Sequence, residues 1–228
     1  MIENGDSYII EEVPTQSNEL NFESISHQLS IVDESTIVGK GELTLRGSNK
    51  SGMVYRLTSI PEKDWEQALV NYIGNRDKNV KLRLHELSNV EEREKDLILN
   101  YDIRVENHIT NVGSEMYFSP EIDFQLKSLE MPKERDVPYE LGKKHLVEYN
   151  VIVDVPDGWE VSYLPESIDI DKDGYNVHLS YESKDGIIHY RKRIDVKESI
   201  IEIADFDEWN ESISKIKEFY DDQIILKK

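Results

Sequence analysis

Apolar side chains recur along this chain with two periods, and the switches between them mark out its elements. Val80, Leu82 and Leu84 alternate with Lys81, Arg83 and His85, and Leu97, Leu99, Tyr101, Ile103 and Val105 alternate with polar residues. A period of two sends one set of side chains to a buried face and the other toward water, so both stretches predict half-buried strands. The charged residues 88–96 between them read as the long loop of an antiparallel hairpin, with a further strand near 115–118. Upstream, residues 22–45 predict another hairpin around Asp33-Glu34-Ser35, its second strand ending in Thr44-Leu45-Arg46-Gly47.

Between the two hairpins the period changes to that of a helix. Residues 50–57 predict a helical turn. Ser59-Ile60-Pro61-Glu62 then sets a Ser three residues before a Glu, with Pro at the first helical position, which predicts a capped helix start. Trp65, Leu69, Tyr72 and Ile73 share one face of that helix, and Gly74 stands where a C-terminal cap is wanted.

Residues 127–143 are charged, hold Pro132 and Pro138, and follow neither period, which is the pattern of a connection between domains. Beyond them, strands are predicted at 145–155, 159–164, 167–170, 175–181 and 187–196, with turns at Pro156-Asp157-Gly158, Asp173-Gly174 and Asp185-Gly186. Trp209, Ile213, Ile216 and Tyr220 fall on one face of a closing helix capped by Asp205 or Asp207, and Ile224-Ile225-Leu226 returns to a sheet. The expected fold class is mainly β (α+β), with antiparallel β-sandwich-like modules and two or three packed helices. The expected division is a mixed β/α module at 1–126 with an acidic N-terminal segment, a linker at 127–143, and an antiparallel β module with a C-terminal helix at 144–228.

Charge narrows the range of partners. Forty-seven acidic residues against 27 basic ones give a net charge of −20, a field that repels phosphate backbones and anionic headgroups, so no nucleic acid and no membrane insertion are expected. Residues 1–39 carry eight carboxylates and no Lys or Arg. No apolar run approaches the ~18 residues of a spanning helix, and the first ten residues lack the pattern of a signal peptide. The chain has no cysteine, which removes disulfides, thiolate metal sites and cysteine nucleophiles.

Candidate chemistry is sparse. Asp169-Ile170-Asp171-Lys172-Asp173-Gly174 reproduces the first half of a calcium loop, but the twelfth position is Ser180 rather than Glu, and a hairpin with an Asp-Gly turn accounts for the same residues. His85-Glu86 starts a zinc-protease pattern that fails at Asn89 and lies on a strand. His145 and Glu148, three apart on a strand, face opposite ways. The six histidines are scattered, no Gly-x-Ser-x-Gly elbow is present, and the glycines do not form a phosphate loop. Trp65, Trp159 and Trp209 are read as core or packing residues rather than as a sugar platform. No catalytic, cofactor-binding or metal residue is therefore assigned, and no cofactor is expected.

The run Ile37-Val38-Gly39-Lys40-Gly41-Glu42-Leu43-Thr44-Leu45-Arg46-Gly47 with Tyr55-Arg56, the stretch Val153-Asp154-Val155-Pro156-Asp157-Gly158-Trp159 with Leu164-Pro165, and the closing helix and strand over 206–226 resemble the C-terminal region of bacterial transglutaminase-like proteins. The resemblance covers 23–228. It implies a non-enzymatic accessory or scaffold domain of unknown function, joined in cis to a transglutaminase-like catalytic core, in an exported (periplasmic or cell-surface) protein of the kind common in Bacteroidetes. The family's Cys-His-Asp triad belongs to the core, so no catalytic residue carries over to a chain without Cys. The alternative from another class is a free-standing ligand-binding β-sandwich, for glycan or calcium.

Overall fold

The computed structural model describes residues 17–228, together with two short paired strands, β1 (Ile2–Asn4) and β2 (Ser7–Ile9). Most of the acidic stretch at the N-terminus lies outside the described residues.

The first half contains β3 (Phe22–Ile31), β4 (Ile37–Leu45), α1 (Gly47–Thr58), α2 (Trp65–Ile73), β5 (Val80–Ser88), β6 (Leu97–Val105), β7 (Ile109–Val112) and β8 (Glu115–Phe118). The second half contains β9 (Tyr139–Glu140), β10 (His145–Asp154), β11 (Glu160–Tyr163), β12 (Ile168–Asp171), β13 (Tyr175–Lys184), β14 (Ile187–Val196), β15 (Ile200–Ile201), α3 (Phe206–Asp221) and β16 (Ile224–Lys227). Eight strands form one sheet in the order β12-β13-β14-β10-β3-β4-β6-β5, and β11-β16-β8-β7 form a second. Among the described residues the fold is mainly β with three α-helices, α+β and sandwich-like, and the strand pairs are antiparallel except β3 with β10, which run parallel.

That parallel pair joins the two expected modules. Ile25 lies beside Tyr149 and Leu29 beside Val153, and side chains from both sides of 127–143 belong to a single buried cluster. The connection itself is irregular apart from β9, which pairs with β15. Alternation does the sorting within the large sheet. Ile25, His27 and Leu29, then Leu97, Leu99, Tyr101, Ile103 and Val105, then Val147, Tyr149, Val151 and Val153 point inward, and their neighbours point outward. The inner face is covered by the helices and the second sheet. Tyr181, Tyr190 and Phe219 of α3 form a three-ring cluster with near-parallel planes, and Tyr175 meets Trp209 edge-on at 4.8 Å. Each aliphatic side chain buried in this way contributes roughly 1.5–3 kcal/mol.

Three local expectations need correction. Residues 50–57 are part of a three-turn helix, not a single turn. One of its first N–H groups finds a partner distant in sequence, because Asn21 Oδ1 accepts from the Ser48 N–H at 3.0 Å. The capping box at Ser59 does not form. Ser59 is in the helical region as the last cap of α1 and donates its hydroxyl to Tyr55 O at 2.6 Å, and α2 begins at Trp65 after a 3-10 turn at Glu62–Asp64. Asp205 precedes α3 without a side-chain cap, since it closes a 3-10 turn with helical backbone angles (φ −99°, ψ −1°) and a cap needs extended ones. The strand β7 has too few alternating residues to stand out in the sequence. Gly74 does close α2, its N–H donating to Val70 O at 2.9 Å.

Glycine is required in the middle of the sheet at Gly39, where a Cβ would sit 2.0 Å from Gln28 O, and at Gly41. A Cβ on Gly41 would sit 2.3 Å from the Tyr101 ring and 2.7 Å from His27 Cδ2, so the missing side chain is the space those two rings occupy. Gly41→Ala is expected to destabilise the chain by about 1–3 kcal/mol through overpacking, read as a lower urea midpoint with unchanged slope. An unchanged midpoint would show that the rings move aside at no cost.

Candidate functional site

Two polar features distinguish this molecule from a simple packed sandwich, and the first is buried. On β14 the inward series Ile188, Tyr190, Lys192, Ile194, Val196 puts a lysine in the core, its side chain 0 % exposed. The segment that leaves β8 brings Glu121 down to it, 1 % exposed, with Oε2 at 2.8 Å from Lys192 Nζ. Tyr190 donates its hydroxyl to Glu121 Oε2 at 2.5 Å, and Glu121 Oε1 accepts from the backbone N–H groups of Ile122 and Asp123 at 3.0 and 2.7 Å. Lys192 also donates to Asp123 O at 2.6 Å and lies 4.1 Å from the Tyr149 ring centroid. The pair is desolvated, yet almost every valence is used, which is the condition under which a buried ion pair is tolerated.

Beside it Glu23, Tyr72, Asp123, Gln125 and Tyr149 line a cavity of about 130 Å³. Tyr72 donates to Glu23 Oε2 at 2.8 Å and Gln125 donates to Asp123 Oδ2 at 2.6 Å. Burial pushes the Glu23 carboxyl above its ordinary pKa against the pull of the Tyr72 hydroxyl, and the nearby Asp123 charge raises it further. The Tyr149 hydroxyl is buried with no hydrogen-bond partner among the described residues, as is that of Tyr220. Further along β3, His27 is fully enclosed, with Nε2 2.8 Å from Tyr101 Oη, and burial lowers its pKa to about 4.

The second feature is the outer face of the large sheet, which no other element covers among the described residues. Its centre is short and polar: Ser26 and Gln28 on β3, Asn150 on β10, Asn100 on β6, with Lys40 and Glu42 on β4. They line a shallow depression of about 340 Å³, and a second of about 490 Å³ lies over Lys40, Lys81, Arg83, Asp102 and Arg104. Lys81 and Arg104 both reach Glu106, at 2.7 and 3.0 Å, and His85 reaches Asp102 at 2.7 Å. Lys40 and Arg83 have no ion-pair partner among the described residues. In a chain of net charge −20 they are a local cationic spot.

The sequence motifs resolve into structure. Asp169 lies 2.5 Å from His178 Nδ1 and Asp171 accepts from Asn176, both across the β12–β13 hairpin that the Asp-Gly turn predicts. His85 is on β5, and His145 accompanies Lys143 O at 3.1 Å on β10. Trp65 and Trp209 donate to Leu57 O and Leu129 O at 2.8 and 2.6 Å as packing residues, while Trp159 is half-buried under the Lys228 ammonium. Among the described residues no three His, Asp or Glu side chains are grouped so as to hold a metal ion.

The polar residues that do converge, Lys192, Glu121, Glu23 and Asp123, were not singled out in the sequence. For two of them a signal existed, because strict alternation on β14 and β3 forces Lys192 and Glu23 onto the apolar face. Glu121 and Asp123 lie in irregular chain, where no period assigns a direction.

Residues 114–226, about half of the chain, match the model of a family described as a Domain of Unknown Function with solved-structure structure (DUF3858). No curated protein matches. Among solved structures, the M1 zinc metallopeptidase from Deinococcus radiodurans superposes with a TM-score of 0.26 at 8 % identity, over 93 % of this chain and 43 % of that one, so this chain spans less than half of its length. Baculovirus P35 superposes at 0.16 with 7 % identity, over 90 % and 95 % of the two chains. Neither likeness is close enough to carry a conclusion about this chain.

Two outcomes are expected from the buried groups. Lys192→Met leaves Glu121 charged and unpaired in the core, so it should cost about 3–5 kcal/mol by urea unfolding; a loss under about 1 kcal/mol would mean that water reaches the pair. His27 stays neutral in the folded state down to about pH 4, whereas the unfolded chain protonates it near its ordinary value of 6.5. Its contribution is therefore complete above pH 6.5 and is lost as pH falls from 6.5 to 4, roughly 3 kcal/mol in all. Glu23, with its raised pKa, acts in the opposite sense, disfavouring the folded state as pH rises above 4.5. The stability difference between wild type and His27→Gln isolates the histidine and should shrink by about 1.4 kcal/mol per pH unit across that window; a pH-independent difference would contradict an enclosed neutral imidazole.

Proposed function

We propose that this chain is a non-catalytic accessory region of a transglutaminase-like exported bacterial protein, seating its catalytic core against the outer face of the eight-stranded sheet. One observation carries the reading. That face is broad, uncovered among the described residues, and built of short polar side chains interleaved with both signs of charge. Interfaces between domains of one protein are polar in just this way, since each partner must also remain soluble when they separate. An antiparallel sheet that meets only water requires polarity there as well, but it does not require free cations in an acidic chain. The runs 37–47 and 153–159 that carry the family resemblance lie on and beside this sheet, and 114–226 match a domain family whose function is not assigned.

A second reading is supported by the depression over Ser26, Gln28, Asn100 and Asn150, whose hydroxyl and amide groups suit the hydroxyls of a glycan in a free-standing β-sandwich.

The test is calorimetric titration of a purified transglutaminase-like core with this chain, alongside the variants Asn150→Arg and Lys40→Glu, and with amine incorporation by the core as a second readout. Saturable binding weakened at least tenfold by both face variants, with a changed incorporation rate, is the expected result. No association and no change in rate would end the accessory reading, and saturable glycan binding lost in Asn150→Arg would put the second reading in its place.

A further inference from the structure

The cavity beneath β3 and β10 contains more acceptor capacity than the protein uses. Glu23 is 8 % exposed and accepts one hydrogen bond, from Tyr72. The Asp123 carboxylate accepts one, from Gln125. Neither carboxylate has a salt-bridge partner among the described residues: Lys192 is paired with Glu121, and Lys143, whose charge is felt at Glu23, stays outside ion-pair distance. Lys192 is held by Glu121 and Asp123 O, and Lys143 donates to Asn49 Oδ1. The Tyr149 hydroxyl, on a side chain 0 % exposed that lines the same cavity, has no partner among the described residues. A buried hydroxyl is rarely left this way, and here, unlike at Tyr220, it lies on a residue that lines a cavity with room for an occupant.

The occupant's chemistry follows from the lining. About 130 Å³ holds a few waters or one small head group. Two carboxylates with spare lone pairs and no ion-pair partner among the described residues favour an occupant that brings N–H donors and positive charge. A divalent metal is a poor match, since hard cations take six or more oxygens and no group of three His, Asp or Glu ligands is present among the described residues. A primary ammonium offers three N–H donors, one for each of Glu23, Asp123 and the Tyr149 hydroxyl, and it gains from the aromatic rings of Tyr72 and Tyr149 beside it. Asp123 and Gln125 are only half-buried, which leaves a route in from their side.

We infer that this cavity is a binding site for a primary ammonium group, held by the carboxylates of Glu23 and Asp123 and the Tyr149 hydroxyl. The inference is independent of the proposed docking face, which lies on the opposite side of the sheet.

The test is an NMR titration of the ¹⁵N-labelled chain at constant ionic strength with methylammonium, n-butylamine and N-acetyl-lysine methylamide, with tetramethylammonium as the probe that has charge but no N–H. Saturable shifts centred on residues 23, 72, 123 and 149 are expected for the primary amines and not for tetramethylammonium. Binding of the lysine derivative would identify a protein side chain as the source, and binding of the free amines alone a small metabolite. Tyr149→Phe removes only the orphan hydroxyl and should weaken binding about tenfold without lowering the unfolding midpoint. Glu23→Gln should weaken it further. Absence of saturable shifts, shifts shared with tetramethylammonium, or equal affinity in Tyr149→Phe would overturn the assignment and leave ordered water as the occupant.

Discussion

The ion pair of Lys192 with Glu121 is the constraint on which the rest of the core depends. A lysine in the middle of an eight-stranded sheet is tolerable only if its charge is met, and Glu121 meets it from a segment with no regular structure of its own. That fixes where the chain leaving β8 must pass. Once Glu121 is in place, the backbone of Ile122 and Asp123 is tied to its carboxylate, Ile122 and Leu126 drop into the core, and Trp209 of α3 can donate to Leu129 O. The second sheet and the last helix are thereby positioned over β13 and β14. An apolar pair of the same volume would hold this layer about as tightly, but it would not specify which residue of an irregular segment reaches the centre.

A comparable arrangement operates at the other end. Lys50 of α1 is 6 % exposed and donates to three backbone carbonyls, Asn89 O, Glu92 O and Lys95 O, at 2.6 to 2.8 Å. Those oxygens belong to the charged loop between β5 and β6, whose backbone would otherwise have to turn outward to water. Both lysines order irregular chain against regular structure, and in a protein so rich in carboxylates neither is free for a surface ion pair.

Most of the strand framework was legible because alternation is a direct record of which face is wet. The hairpins of β3 with β4, β5 with β6 and β13 with β14 follow from period and turn residues alone, as does the Asp185-Gly186 turn, where both residues take positive φ. What alternation does not encode is partnership across long separations. The parallel contact of β3 with β10, the capping of α1 by Asn21, and the descent of Glu121 to Lys192 join residues 124, 27 and 71 positions apart, and no local pattern reports them. The apparent capping box at Ser59 failed for a related reason. Its residue types were right, but α1 extended far enough to use Ser59 as its own last cap. The polar cluster was half legible, since the period of β14 and β3 already placed Lys192 and Glu23 inward, and the remaining half lay in chain without a period.

The edges and faces of the large sheet differ in how far they invite association. At one edge β12 has only four residues, with Asp169 and Asp171 exposed. At the other, β5 carries Lys81 and Arg83 and is interrupted by a register shift between Leu84 and Glu86. Short length, charge and a bulge are the devices by which sheet edges are kept from pairing with another chain. The inner face is filled. Contact with another folded body is thus steered to the outer face, and there the surface is polar, shallow and studded with charge, which suits a partner tethered nearby better than one that must be captured from dilute solution. A tether raises the effective concentration to the millimolar range, so an interface with few apolar anchors still closes. This is the physical reason that the polar sheet face supports the proposed accessory role.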